Sequence, residues 1–256
     1  MRGNHETMTT DLQGRTALVT GSTSGIGRAT ALALAERGAH VIVSGRDAER
    51  GASTVEAITT AGGSAEFIAA DLSTAQGTHA LARAATDDGR AVDILINNAG
   101  IFPFAATAQT SDADLHAVYM TNVLAPFILV GELAPKMAER GHGAIINTIS
   151  GAVAHPAGQG QALYGSSKAA LDHLTRAWAA EFGPAGVRVN AVSPGPTRTE
   201  GTAPMAPMMD QMAAGLPAGR VGTAEELATV YAFLASDDAA FIYGAVVPVD
   251  GGMAIA

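Results

Sequence analysis

A doubly wound α/β fold, one mostly or fully parallel seven-stranded sheet with helices on both faces, follows from three observations. Short apolar runs alternate with longer helical patterns along the chain. The apolar runs lack the in–out alternation of half-solvated strands, as strands buried on both faces should. The first run feeds a glycine-rich turn that opens a helix. Strands alternating with helices imply right-handed βαβ crossovers, and these make neighbouring strands parallel.

Taken in order, Thr16–Thr20 reads as the first strand and 25–37 as the first helix. Further strands are expected at 39–44, 65–70, 92–96, 144–149, 187–192 and 245–249. Helices are expected at 47–61, 74–88, 112–140, 162–182 and 224–234. The 112–140 helix should break, because Pro126 and Pro135 interrupt it. No linker or repeat divides the chain, so 12–256 reads as one domain behind a polar, flexible leader, 1–11. Met8 reads as a native start, with 1–7 an extension. One irregular stretch, 194–220, is rich in Pro, Gly and Met. Its length and composition predict a loop-helix lid at about 196–220 beside the active site.

Composition excludes several classes. Of 256 residues, 48% are hydrophobic and 15% charged, enough to bury a sizeable core and too apolar for disorder. The net charge of −9 comes without a basic block, so neither nucleic acid nor an anionic membrane is an expected partner. The absence of cysteine removes disulfides, thiolate nucleophiles and cysteine zinc sites. No apolar run reads as a membrane span, and the leader lacks a signal peptide's apolar core. A cytoplasmic protein is expected. The seven histidines show no metal-ligand spacing, so no metal is expected.

The turn after the first strand is Thr20-Gly21-Ser22-Thr23-Ser24-Gly25-Ile26-Gly27. Its glycines let the backbone approach a pyrophosphate, and the helix behind it offers unpaired N–H groups and partial positive charge. Gly21, Ser22, Ser24, Gly25, Ile26 and Gly27 are therefore candidate cofactor contacts. At the tip of the second strand, an acidic residue would bond the adenosine ribose hydroxyls of NAD. The chain has Ser44-Gly45-Arg46 instead, and Arg46 suits a 2′-phosphate, so NADP(H) is favoured over NAD(H). Asp71-Leu72 ends the third strand, where the carboxylate can accept from an adenine amino group or cap a helix.

These motifs and those after them resemble the short-chain dehydrogenase/reductase family, from Leu12 to the C-terminus. Asn97-Asn98-Ala99-Gly100 is similar to the family's strand-four motif, and Asn122 in Met120-Thr121-Asn122-Val123 to its helix-kink asparagine. Ser150 follows the fifth strand. Tyr164-Gly165-Ser166-Ser167-Lys168 matches Tyr-x-x-x-Lys. Arg188–Gly195 resembles the sixth strand and its Pro-Gly turn, and Val249-Asp250-Gly251-Gly252 the C-terminal signature. The resemblance implies a Rossmann-type oxidoreductase of CH–OH/C=O groups, often a homotetramer.

Tyr164 and Lys168 lie one helical turn apart, on one face. Hydride transfer to a ketone requires a proton on the developing alkoxide. A tyrosine supplies it poorly at its reference pKa of about 10, and a nearby ammonium is expected to lower that value. By resemblance, Lys168 also bonds the nicotinamide ribose, and Asn122 opens its helix and holds a water that relays protons to the lysine.

Counted back from Tyr164, the family's hydroxyl position falls on Gly151. Counted forward along the fifth strand it falls on Ser150. Strand register is less elastic than loop length, which selects Ser150 to orient the substrate oxygen, with Thr148 or a water as the alternative. Asn98, Ala99 and Gly100 bring backbone close to the cofactor. After Pro194 and Gly195, Thr197 and Thr199 are expected on the nicotinamide carboxamide.

Phe102, His155, Met205 and Met209 are candidate pocket residues, and with the lid methionines they predict an apolar ketone or secondary alcohol. A 3-oxoacyl-carrier-protein reductase and a non-catalytic NADP-binding sensor are the alternatives. The first would want a basic patch at the pocket mouth.

Overall fold

The computed structural model describes residues 11–154 and 160–255. The leader up to residue 10, and His155, lie outside the described residues. The strands are β1 Thr16–Thr20, β2 His40–Gly45, β3 Ser64–Ala69, β4 Ile94–Asn97, β5 Gly143–Thr148, β6 Val187–Pro194, β7 Thr197–Arg198, β8 Gly222–Thr223 and β9 Val246–Val249. The helices are α1 Gly25–Glu36, α2 Ala48–Thr60, α3 Ala75–Ala85, α4 Asp112–Tyr119, α5 Ala125–Arg140, α6 Ala162–Phe182, α7 Ala206–Ala213 and α8 Ala224–Ala235.

Seven strands form one fully parallel sheet in the order β3-β2-β1-β4-β5-β6-β9. The chain runs outward from β1 to β3, then returns to place β4 on the other side of β1. That reversal opens a crevice beyond the C-terminal ends of β1 and β4, where α/β sheets bind ligands.

Alternate strand residues feed two cores. Leu18, Leu95, Ile145 and Val189 pack with α3, α5 and α6. Val19, Ile94, Ile146 and Val192 pack with α1, α2 and α8. The inner strands are buried on both faces as expected, but β3 and β9 are half-exposed sheet edges. A small parallel pair, β7 with β8, adds a second sheet that the apolar pattern did not reveal, since each strand has two residues.

The helix break differs from the prolines' prediction. α4 runs into α5 through a π turn at Met120–Leu124, and Pro135 sits inside α5 without ending it. Pro126 stands at the start of α5 and brings no N–H to the carbonyl four residues back, that of Asn122. This continuous stretch, Asp112–Arg140, also corrects the membrane expectation. It is long and apolar enough to span a bilayer by length and composition, yet 56% of its apolar window is buried inside the fold, as a core helix.

Candidate active site

The glycine turn is held by β1, β2 and the turn after β4. Gly21 takes φ +64, a backbone state that side chains disfavour. A Cβ at Gly27 would collide with the Gly21 carbonyl and the Asn98 side chain, so α1 can seat against the turn only with glycine there. Gly27 is thus a packing residue behind the turn, not part of the cavity wall. Ser22 also departs from expectation. It is buried, donates to Val19 O at 2.6 Å and accepts from Ser44 N at 2.9 Å, so its hydroxyl ties β1 to β2. Its neighbour Thr23, not predicted, lines the cavity with Gly21, Ser24, Gly25 and Ile26. Ser24 is the N-cap of α1, but its hydroxyl is not used to cap the helix.

Arg46 is exposed at the tip of β2 and lines the same cavity, as do Asp71 and Leu72. Asp71 is not a helix N-cap; Thr74 is. The Asp71 carboxylate accepts from Ser73 N at 3.0 Å, and that bond, with Arg46 nearby, holds its pKa below the usual carboxylate value. Asp47 is committed to capping α2.

Beyond β4, Asn98 Nδ2 donates to the carbonyls of Thr20 and Gly21 at 3.0 and 3.1 Å. The Thr20 hydroxyl accepts from the N–H groups of Asn98 and Ala99. Gly100 faces Lys168 and Asn122. Asn97 donates to Asn147, and Asn147 to Thr175, each at 2.9 Å, so a buried amide ladder binds β4 to β5 and to α6.

Ser150, Tyr164 and Lys168 meet at the end of β5. The Ser150 hydroxyl bonds the Tyr164 phenol, while Gly151 opens a short 3-10 turn that Ser150 caps. Thr148 is no rival, because its hydroxyl is engaged with Tyr231 at 2.7 Å on the far side of the strand. Lys168 is 3% exposed and donates to the Thr148 carbonyl at 2.7 Å. Its Nζ lies 5.8 Å from the Tyr164 ring centre.

The expected lowering of the tyrosine is not what this geometry produces. Desolvation raises Tyr164, the Ser150 bond works against that rise, and Lys168 itself is lowered by burial to about 8. The physical reason is that the ammonium is spent on a carbonyl rather than on the phenol oxygen.

Asn122 is fully buried in the π turn, and its side chain bonds across to another segment rather than locally. Oδ1 accepts from Ile101 N at 2.9 Å; Nδ2 donates to Ile101 O at 2.9 Å and to Ser167 Oγ at 3.0 Å.

After β6, Pro194 and Gly195 line the cavity. Thr197 donates to Gly195 O at 2.9 Å, and Thr199 caps the following 3-10 helix, so both hydroxyls are engaged within the segment. Thr199 packs over Gly25. Glu200, not predicted, accepts from Gly25 N at 3.0 Å. Met205 and Met209 pack with Ala213, Val221 and Leu216 and also line the cavity, joined by Met208, Met212 and, from the chain's end, Met253. Phe102 meets the Tyr164 ring edge-on at 6.2 Å.

One cavity of about 500 Å³ therefore runs from Arg46 and Asp71, past the start of α1, to Tyr164 and the Phe and Met wall. A nicotinamide dinucleotide fits this sequence of surfaces: a cation at the adenosine end, a helix N-terminus at the centre, and a buried lysine and phenol at the reacting end.

Comparison with known proteins agrees. A family profile described as enoyl-(acyl carrier protein) reductase matches residues 21–254. A 3-oxoacyl-(acyl-carrier-protein) reductase of Thermotoga maritima is 33% identical, with 95% of this chain and 99% of that protein covered. A structure described as a short chain dehydrogenase/reductase family protein is 46% identical, at TM-score 0.88, with 96% of this chain and 100% of the other covered. A Beutenbergia cavernae protein, provisionally named an NAD(P)-dependent gluconate 5-dehydrogenase and solved with NADP at low occupancy, is 38% identical at TM-score 0.91, covering 96% and 99%.

Proposed function

The chain belongs to the short-chain dehydrogenase/reductase family and is an oxidoreductase using a nicotinamide cofactor, and on that premise we propose that it takes NADP(H) and moves hydride to or from an apolar ketone or secondary alcohol. The observation that carries this reading is the meeting of Ser150, Tyr164 and Lys168 at one end of a cavity whose centre is the start of α1.

Arg46 would face the 2′-phosphate, and Asp71 the adenine amino group. Gly21, Ser24, Gly25 and Ile26, with Thr23, would cradle the pyrophosphate. Asn98, Ala99, Gly100, Pro194 and Gly195 would form the wall around the nicotinamide half, with Thr197 and Thr199 turning toward it when the segment rearranges. The cofactor, when bound, supplies or accepts the hydride.

The protein's own residues do the rest. Ser150 donates to the substrate oxygen. Tyr164 gives that oxygen a proton in reduction and removes it in oxidation. Lys168 stabilises the phenolate once its ammonium is drawn toward the phenol and the ribose. The carbonyl of Asn122, without its usual donor because residue 126 is proline, suits a proton-relay water.

Phe102, Met205 and Met209 give the substrate end an apolar wall, and the 196–220 segment works as its lid. Among the described residues that line the cavity, Lys168 is the sole cation away from Arg46. That favours a neutral apolar carbonyl over a carrier-protein thioester. Exposed Leu124 at the end of the π turn, Phe127 on α5, and Phe241 and Tyr243 before β9 support assembly as a homo-oligomer, a tetramer by resemblance.

A panel of ketones and secondary alcohols, read at the nicotinamide absorbance with both cofactors, tests the reading. Turnover of apolar members with NADP(H) is expected. Binding of cofactor without turnover of any member would replace the enzyme with a sensor.

A further inference from the structure

Thr148 closes β5 beside the active site and is gripped from both faces of the sheet. From the α6 side, Lys168 donates to its main-chain oxygen at 2.7 Å. From the α8 side, the Tyr231 phenol meets its hydroxyl at 2.7 Å. Strand alternation sets this up: the Asn147 side chain goes to Thr175 on α6, so the next side chain goes to the opposite layer. Tyr231 is fully buried in the core that α8 shares with Ile146 and Val192, and it does not line the cavity. A phenol placed there is costly unless its hydroxyl is paired, and Thr148 is its partner.

The strand end has need of such a pin. β4 stops in register with Asn147, so no ladder partner from β4 reaches Thr148. The chain then leaves the sheet toward Ser150. An ammonium has three donors, and fixing one on the Thr148 carbonyl sets where the other two point. Around the same Nζ lie the Tyr164 ring, centred 5.8 Å away on the same helix, and Gly100, which Asn122 also faces.

We propose that Tyr231, outside the cavity, is a positioning residue for Lys168: through the Thr148 hydroxyl it fixes the carbonyl that aims the ammonium. The proposal rests on the catalytic reading of Lys168 given above.

The chain has two lysines, Lys136 and Lys168, so protein labelled at lysine Cε gives two side-chain NMR signals, and Lys168→Met assigns them. Tyr231→Phe keeps the ring and its packing, Thr148→Val removes the other hydroxyl, and Thr148→Ser keeps it. The carbonyl contact favours the charged lysine. Loosening it in Tyr231→Phe and Thr148→Val should therefore lower the Lys168 titration midpoint by about half a unit or more, with Lys136 unmoved.

In the same variants kcat should fall about tenfold with little change in cofactor KM, because a misaimed group loses rate rather than affinity. Thr148→Ser should stay near wild type. The double variant Tyr231→Phe with Thr148→Val, freed of any unpaired hydroxyl, should regain thermal stability without regaining rate. Unchanged Lys168 midpoints in both single variants would overturn the proposal, as would a double variant that recovers kcat together with stability. If the chain turned over no carbonyl or alcohol, the NMR shifts would still decide the positioning contact, and the oxidoreductase assignment of substrate would fail separately.

Discussion

The Glu200 carboxylate accepts a hydrogen bond from the Gly25 backbone N–H at 3.0 Å, which ties the segment after β6 to the first turn of α1. Thr199 packs on the same glycine. A carboxylate at a helix N-terminus is favoured by roughly 0.3–1 kcal/mol at low salt. It also puts negative charge where a pyrophosphate would dock. Glu200→Gln should therefore lower the KM for cofactor about two- to fivefold at low ionic strength, with the gain shrinking as salt rises. A higher KM at low salt would instead make Glu200 a latch over bound cofactor.

Tyr164→Phe keeps the ring against Phe102 and removes only the hydroxyl. Cofactor binding, followed by fluorescence, should persist, while turnover falls by about 10²–10⁴. Retained turnover would take the proton transfer away from Tyr164.

Ser150→Ala removes the bond that works against the burial of the Tyr164 phenol. Turnover should drop by about 10². The rising limb of the pH profile for alcohol oxidation, which follows ionisation of the phenol, should move to higher pH, because the remaining influence on the phenol, desolvation, raises its pKa. A drop without that displacement would assign Ser150 to the substrate oxygen alone.

Much of this site could be read from residue order, and the failures have physical causes. The bounds of β1 and α6 are legible in the sequence because an apolar run and a helical face are local properties. Ser150, rather than Gly151, brings a hydroxyl to Tyr164 because β5 keeps its register into Thr148. Residue order does not distinguish Ser22, whose hydroxyl is tied to β2, from Thr23, which lines the cavity, because a turn motif does not say which side chain points back at β2; that depends on the pairing with Ser44. The prolines suggested a break, but the π turn is fixed at Asn122 by bonds to Ile101, 21 residues earlier. The grip of Tyr231 on Thr148 spans 83 residues and leaves no trace in either local pattern.

Arg46 stands at the adenosine end with Asp71 near enough to feel its charge. Arg46→Asp should exchange a phosphate partner for a ribose-hydroxyl acceptor. The ratio of kcat/KM for NADP to that for NAD should fall by about tenfold or more, the equivalent of one charge-assisted contact. An unchanged ratio would remove Arg46 from cofactor choice and move attention to Thr23, which packs beside Gly45.

Lys168 also predicts a stability profile. Its pKa falls from an unfolded value of 10.5 to about 8 in the cofactor-free fold. Between those values the unfolded chain holds a proton that the folded chain has released. Stability should therefore rise as pH climbs from about 8 toward 10.5, by at most about 3 kcal/mol, as the cost of burying the charge is relieved. The raised phenols of Tyr164 and Tyr231 act oppositely above pH 10, where the unfolded chain loses protons that the fold retains. Comparing wild type with Lys168→Met cancels the tyrosine contributions, since both proteins contain them. In urea unfolding between pH 7 and pH 10, wild type should gain on Lys168→Met as pH rises. Parallel profiles would mean that Lys168 titrates as an ordinary lysine and that its burial carries no charge penalty.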